Sequence, residues 1–281
     1  MRRKATFLSV LSQVATYGIL GITAFLMAFP FYWMVVTTLK PAAEVYTTEI
    51  GLIPSTLTLF MYRKLLSDPQ MPVVRFFINS VIISLGATSV CVVTATLAAY
   101  PLSRRKVPGG KLAYFLIIAT MMVPGEVVLI GIFMVANAFK MVNTYQGMIL
   151  PLAVNAVTFL IIYNYVLQLP KEMDEAALVD GASIWQVLWH IIIPLARPAI
   201  YSATLLAFLS AWQNFTIPYL LTQSNSMYPL SVGALFTETT LYATMQETLS
   251  LSTILTIPTL VVFVLTQRFV FSGITTGAVK G

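Results

Sequence analysis

The chain has 281 residues, 58% of them hydrophobic and only 9% charged, with a formal net charge of +6. Soluble domains run at roughly 45–50% apolar and about 25% charged, so a soluble fold that hides this much apolar surface is excluded. The positive charge does not point to nucleic acid either, because the cations are scattered along the chain and form no stripe interleaved with exposed aromatics.

Crossing a hydrocarbon core of about 30 Å takes about 20 helical residues, and apolar runs of that length recur. No Asp, Glu, Lys or Arg interrupts Lys4 to Lys40, Arg75 to Arg104, Lys140 to Lys171, Arg197 to Glu238, or Glu247 to Arg268. A further run from Lys111 to Lys140 is broken only by Glu126, beside Pro124 and Gly125, which predicts a kinked helix. The expectation is an all-α integral membrane protein of six spans, at about 12–38, 73–100, 112–137, 146–168, 198–221 and 249–269, forming one domain.

The first run follows a basic Met1-Arg2-Arg3-Lys4 start, but it is longer than a signal core of about 7–15 residues, so it is expected to stay as a helix. The outer segment from Lys40 to Pro72 carries a short amphipathic piece, Thr56 to Leu66, and is expected to form a small extracytoplasmic cap. Placing the N-terminus inside gives the inner side Arg2, Arg3, Lys4, Arg104, Arg105, Lys106, Lys111, Lys171, Arg197, Arg268 and Lys280. The outer side keeps Lys40, Arg63, Lys64, Arg75 and Lys140. This bias predicts both termini in the cytoplasm. Cys91 is the sole cysteine and has no disulfide or metal-ligand partner of its own kind. The turn Gly109-Gly110-Lys111-Leu112 is no phosphate loop, because it lacks the first glycine and the Ser or Thr after the lysine.

The inner loop 170–193 is the most patterned segment. Pro170 suits a helix start, and Glu172, Asp174 and Glu175 fall in the first turn, where the helix dipole favours acids. Asp180-Gly181 predicts the end of that helix, with glycine in the left-handed closing position. A second helix is predicted from Ser183, which with Gln186 forms a capping box, and Ile184, Val187, Leu188 and Ile191 repeat at the spacing of one face. His190, the only histidine, is expected to pack on that helix. Pro194 and Pro198 mark the return to the membrane.

The stretch Glu175-Ala176-Ala177-Leu178-Val179-Asp180-Gly181-Ala182-Ser183, continuing to Ile193-Pro194-Leu195, resembles the EAA loop of ABC-transporter permeases. It is similar in particular to the carbohydrate-importer group with the maltose-type inner-membrane subunits. Asn79-Ser80, Val123-Pro124-Gly125-Glu126, Asn143-Thr144-Tyr145 and the tail from Gly273 to Gly281 extend the resemblance. Trp212-Gln213-Asn214-Phe215 departs from it, since the family more often shows Trp-Asn followed by a polar residue.

The resemblance implies the type I importer permease fold in a prokaryotic inner membrane, with no catalytic centre in this chain. It also implies a second permease in a heterodimer, two ATP-binding subunits that hold ATP and Mg, and an extracytoplasmic solute-binding protein delivering a carbohydrate. Glu175, Ala176, Ala177, Asp180 and Gly181 would then couple the permease to its ATPase subunit, and the tail 270–281 would reach towards the ATPase pair.

Polar groups within a membrane are costly and tend to face a cavity or another helix. Asn79, Glu126, Asn155, Gln213 and Asn214 all fall roughly 8–13 Å below the outer surface at 1.5 Å of rise per residue. They are expected to line an outward-opening chamber where amides meet hydroxyl-rich solutes. The alternative is an ion-gradient-driven secondary transporter, which needs intramembrane acids for coupling, and Glu126 is the one acid clearly available. An integral-membrane enzyme would need a constellation of nucleophile, base or metal ligands that one His, one Cys and one buried Glu do not supply.

Overall fold

The computed structural model describes residues 2–45, 51–69, 71–105, 107–239 and 244–278, and among these the regular elements are helices, with no strand. Lys106 and Lys280, counted above among the inner cations, lie outside the described residues. In chain order the helices are α1 (Arg2–Thr38), α2 (Ala42–Val45), α3 (Phe60–Ser67), α4 (Val73–Arg104), α5 (Gly110–Ala119), α6 (Gly125–Ala138), α7 (Tyr145–Leu152) and α8 (Ala156–Gln168). There follow α9 (Glu172–Val179), α10 (Ile184–Val187), α11 (Ile193–Leu195), α12 (Arg197–Trp212), α13 (Thr216–Leu221), α14 (Leu230–Thr239) and α15 (Met245–Ala278).

Three helices are long and apolar enough to cross a membrane singly: Ser12–Thr38 within α1, α4, and Met245–Gln267 within α15. Three more crossings arise only if bent pairs are counted as one: Gly110–Met122 with Gly125–Ala138 at 108°, Tyr145–Leu152 with Ala156–Gln168 at 47°, and Ile184–Leu195 with Arg197–Trp212 at 79°. The first bend is far sharper than the expected kink, because Pro124 is extended and both flanking helices end there. The backbone of α15 stays helical to Ala278, into the segment expected to be a tail; Gly273 and Gly277 weaken a helix but do not stop it.

The chain divides into two compact units. The first comprises residues 1–71 and 237–254. Its α1 leaves every residue of its membrane window unburied, with Tyr17, Phe25 and Met27 exposed. The C-terminal end of α1 is held within its own unit. The last carbonyls of a helix lack intrahelical donors, and the buried Gln246 amide supplies them, donating to the carbonyls of Thr37 at 3.2 Å and Lys40 at 2.7 Å. Thr38 and Tyr62 share a hydroxyl hydrogen bond of 2.8 Å, and Lys64 pairs with Glu247. The amphipathic piece expected at Thr56–Leu66 folds as α3, burying Met61 and Leu65 on one face at i, i+4 spacing.

The second unit comprises residues 72–236 and 255–281. Its centre is α4 packed against α8 and α12. On α4 the residues Ile83, Ala87, Cys91, Ala95 and Ala99 form a buried stripe at four-residue spacing, and on α12 Ala199, Ala203, Ala207 and Ala211 form another. Lipid tails are as apolar as side chains, so burial of oily surface drives little association here; small residues bring the helix backbones into close van der Waals contact instead. Gly147 marks the tightest approach, since a Cβ there would strike the Met141 carbonyl oxygen.

Candidate functional site

The loop after α8 is built as the sequence predicts at its ends. No side chain caps the start of α9, which follows Pro170 and carries Glu172, Asp174 and Glu175 in its first turn. It closes at Asp180, and Gly181 takes φ +87°, a left-handed conformation costly for a residue with a Cβ. Ser183 and Gln186 form both halves of the capping box: the Ser183 amide donates to Gln186 Oε1 at 2.7 Å, and the Gln186 amide donates to Ser183 Oγ at 3.3 Å.

After α10 the register changes. Residues Leu188–Ile192 form a π-helical turn, which inserts an extra residue and re-aims the side chains beyond it. Val187 and Leu188 are buried and Ile191, half-buried, packs on the same core, so the expected face packs except at Ile184, which is exposed; Ile192 joins the buried set. His190 is exposed rather than packed, its Nδ1 3.1 Å from the Gln186 carbonyl oxygen.

Of the predicted coupling residues, Glu175, Ala176, Asp180 and Gly181 are exposed. Ala177 is half-buried and turns towards this chain's own core, beside Leu178 and Ala182, so its small size serves internal packing. Asp180, Gly181, Gln186 and His190 border an open hollow of about 440 Å³. Around it the loop exposes large apolar side chains: Val179, Trp185 and Trp189.

Behind the loop sits an arrangement that sequence spacing does not announce. Arg104, in the last turn of α4, is almost wholly buried; its Nη2 donates to the Leu169 carbonyl oxygen at 2.6 Å, and its Nε lies 3.6 Å from Asp174 Oδ2. Burial pushes the Asp174 carboxyl above its ordinary range, against the opposing pull of Arg104 and Arg105. The run of basic residues at 104–106 was the available signal, because a buried acid in a nearby loop needs a partner.

The five residues expected to line a chamber have different surroundings. Asn79 is fully buried: its Nδ2 donates to the carbonyls of Ser226 and Tyr228, both at 2.9 Å, and its Oδ1 accepts from the Tyr145 hydroxyl at 2.7 Å. These bonds fasten the N-terminal part of α4 to the segment around Ser226–Tyr228 and to α7. Asn155 and Asn214 sit at helix breaks, where Asn155 Oδ1 accepts from the Thr158 amide at 3.0 Å and Asn214 Oδ1 from the Ile217 amide at 3.0 Å. Asn155 also borders a cavity of about 290 Å³ with Cys91, Thr94 and Phe159. Glu126 and Gln213 are exposed. Among the described residues no group of three or more His, Cys, Asp or Glu could hold a metal ion.

Helices long and apolar enough to cross a membrane, packed through seams of small residues, are the build of a multi-pass membrane protein. Residues 91–271 match the family of the binding-protein-dependent transport system inner membrane component, and the chain belongs to that family. It is similar to an arabinooligosaccharides transport system permease of Halalkalibacterium halodurans, 31% identical and covering 100% of both chains. A trehalose/maltose transport system permease of Thermococcus litoralis is 35% identical over 94% of this chain and 96% of its own. A lactose transport system permease of Rhizobium radiobacter is 29% identical, covering 96% and 97%. The fold is likewise that of a chain from a bacterial ABC transporter involved in import of the acidic polysaccharide alginate, with a TM-score of 0.83 at 22% identity over 92% of this chain and 96% of that one.

Proposed function

We propose that this chain is one permease of an ABC importer for a carbohydrate, forming half of the translocation pathway and receiving its power stroke through the loop 170–193. The observation that carries this reading is the loop itself. It presents Glu175, Asp180 and the left-handed Gly181 next to exposed Val179, Trp185 and Trp189, on a frame of two short helices of which the second carries a capping box. Exposed large apolar groups rimmed by charge mark a surface that another macromolecule covers. A soluble ATPase subunit with a groove for such a knob fits both features, and ATP with Mg would be held there and not in this chain.

The unburied membrane face of α1 supports a second permease in a heterodimer, since that helix has little of its own unit to lie against. The similarity to permeases for arabinooligosaccharides, trehalose/maltose and lactose supports a carbohydrate as solute, delivered by an extracytoplasmic binding protein. The excess of cations on one set of loops supports cytoplasmic termini. Exposed Glu126 and Gln213 and half-buried Asn155 and Asn214 remain the candidates to meet solute.

Purification of the chain from its native membrane in mild detergent tests this reading. Co-elution of an ATPase and a sister permease is expected, with ATP hydrolysis rising on addition of the binding protein and sugar; elution alone, with transport driven by an ion gradient, overturns it.

A further inference from the structure

The buried guanidinium at the inner end of α4 has a position that the docking reading alone does not use. Arg104 reaches out of α4 to both sides of Pro170, the turn that joins α8 to α9. On one side it holds the Leu169 carbonyl oxygen, the C-cap of α8, at 2.6 Å; on the other it faces the Asp174 carboxylate of the first turn of α9 at 3.6 Å. The Arg104 side chain is 2% exposed and that of Asp174 is 9% exposed.

The grip is incomplete. Arg104 Nε and Nη1, Asp174 Oδ1 and the Tyr100 hydroxyl one turn earlier on α4 are all buried without a hydrogen-bond partner. Buried polar groups left unmade are costly, and 3.6 Å is a charge contact and not a hydrogen bond. A guanidinium has five donors in a planar fork, and Nε with the neighbouring hydrogen of Nη2 suits a carboxylate at two points, so a small displacement of α9 towards α4 would close the pair and satisfy Nε and Oδ1 together while Nη2 keeps the Leu169 carbonyl through its other hydrogen.

We propose that Arg104 is a positioning residue for coupling: with Asp174 it brackets the α8–α9 turn to α4 and passes a displacement of the ATPase docking loop directly to that central helix, tightening from the open pair to a two-point one. This rests on the proposed docking of an ATPase at the loop. Besides the bracket, α9 meets the core through Ala177 and Leu178 and is tied to the bundle by its chain ends, so the bracket is the polar link between the start of α9 and α4.

The test is hydrogen exchange on the whole importer in lipid, with and without Mg-ATP and vanadate to trap the closed ATPase pair. In the unaltered complex, trapping is expected to change protection both in residues 171–181 and in the last turns of α4. The double variant Arg104→Met with Asp174→Leu keeps the site filled with apolar groups, a replacement that buried pairs tolerate well. It is expected to retain the response of 171–181 while the response of α4 falls by about two- to thirty-fold, the range of measured coupling changes. Arg104→Lys, a single point donor that cannot hold both partners, is expected to fall between.

An α4 response equal in the double variant and the unaltered complex overturns the inference, as does an unaltered complex in which 171–181 responds and α4 does not. Absence of any response in 171–181 of the unaltered complex overturns instead the proposed docking of the ATPase. A variant that merely loosened the fold would lower protection before trapping without uncoupling the two responses.

Discussion

The hydroxyl of Tyr145, in the first turn of α7, donates to Asn79 Oδ1 in α4 at 2.7 Å, and this ties together the N-terminal parts of two helices that are far apart in sequence. With the two carbonyls that Asn79 also satisfies, the site is a closed hydrogen-bonded knot. Asn79→Ala removes three hydrogen bonds to half-buried or exposed partners, of which the Ser226 carbonyl still accepts from Arg75 Nε at 3.2 Å, at about 0.5–1.5 kcal/mol for each bond lost. A clear loss of thermal stability in detergent is expected, with solute affinity unchanged in the protein that remains folded. An altered affinity at unchanged stability would place Asn79 on the translocation path.

Gly147 permits the approach of α7 to the Met141 carbonyl. A Cβ there meets backbone, not a flexible side chain. Gly147→Ala is therefore expected to displace α7 and cost about 1–3 kcal/mol or more, as overpacking of a close contact does. Membrane levels and melting temperature should fall together, and Gly131→Ala, which meets open space, is the comparison expected to leave both nearly unchanged.

Gly181 has φ +87° with nothing near an added Cβ. Gly181→Ala is expected to cost about 1–2 kcal/mol of local conformational strain and to spare the rest of the fold. Under the docking account its effect is on retention of the ATPase and on uptake, while the melting temperature of the bundle stays put. Measuring both on the same preparation separates a docking defect from a folding defect.

Asp174 makes the loop sensitive to pH. Its carboxyl is held above the ordinary value of about 3.9 for aspartate, chiefly by burial, with Arg104 and Arg105 opposing and the neighbouring Glu175 adding to the rise. The folded loop thus binds this proton more readily than the unfolded one, so the contribution to stability is present below the unfolded value and is lost as pH rises through the folded one. Hydrogen-exchange stability of residues 171–181, corrected for intrinsic exchange, is expected to increase as pH falls from neutrality through that window. Asp174→Asn should remove the dependence; a flat profile in the unaltered protein contradicts it.

Local chemistry was legible in the sequence and distant pairing was not. Ser183 with Gln186, Gly181 and the Pro124 break depend on neighbours within a turn, and each appears at its expected place. Asn155 and Asn214 show the limit. A polar residue in an apolar run can face a cavity or serve a backbone group freed by a helix break, and spacing alone does not choose. Both cap a helix start, and the nearby Pro151 and Pro218 were the signals of irregular backbone. The π-helical turn at Leu188–Ile192 carries no proline or glycine to announce it, and the exposure of Ile184 at the start of the second loop helix was not legible from spacing. The pairing of Arg104 with Asp174 depends on how α4 and α8 pack, which no local pattern encodes.

The central claim is that an ATPase acting through the 170–193 loop drives uptake. The most direct measurement compares sugar uptake into vesicles holding the assembled importer, energised by internal ATP or by an imposed ion gradient, for the unaltered chain and for Glu175→Lys. The account predicts uptake that needs ATP, survives collapse of the gradient by ionophores, and falls sharply in Glu175→Lys at equal membrane level. Uptake that follows the gradient without ATP, or ATP-driven uptake untouched by the charge reversal, would contradict it.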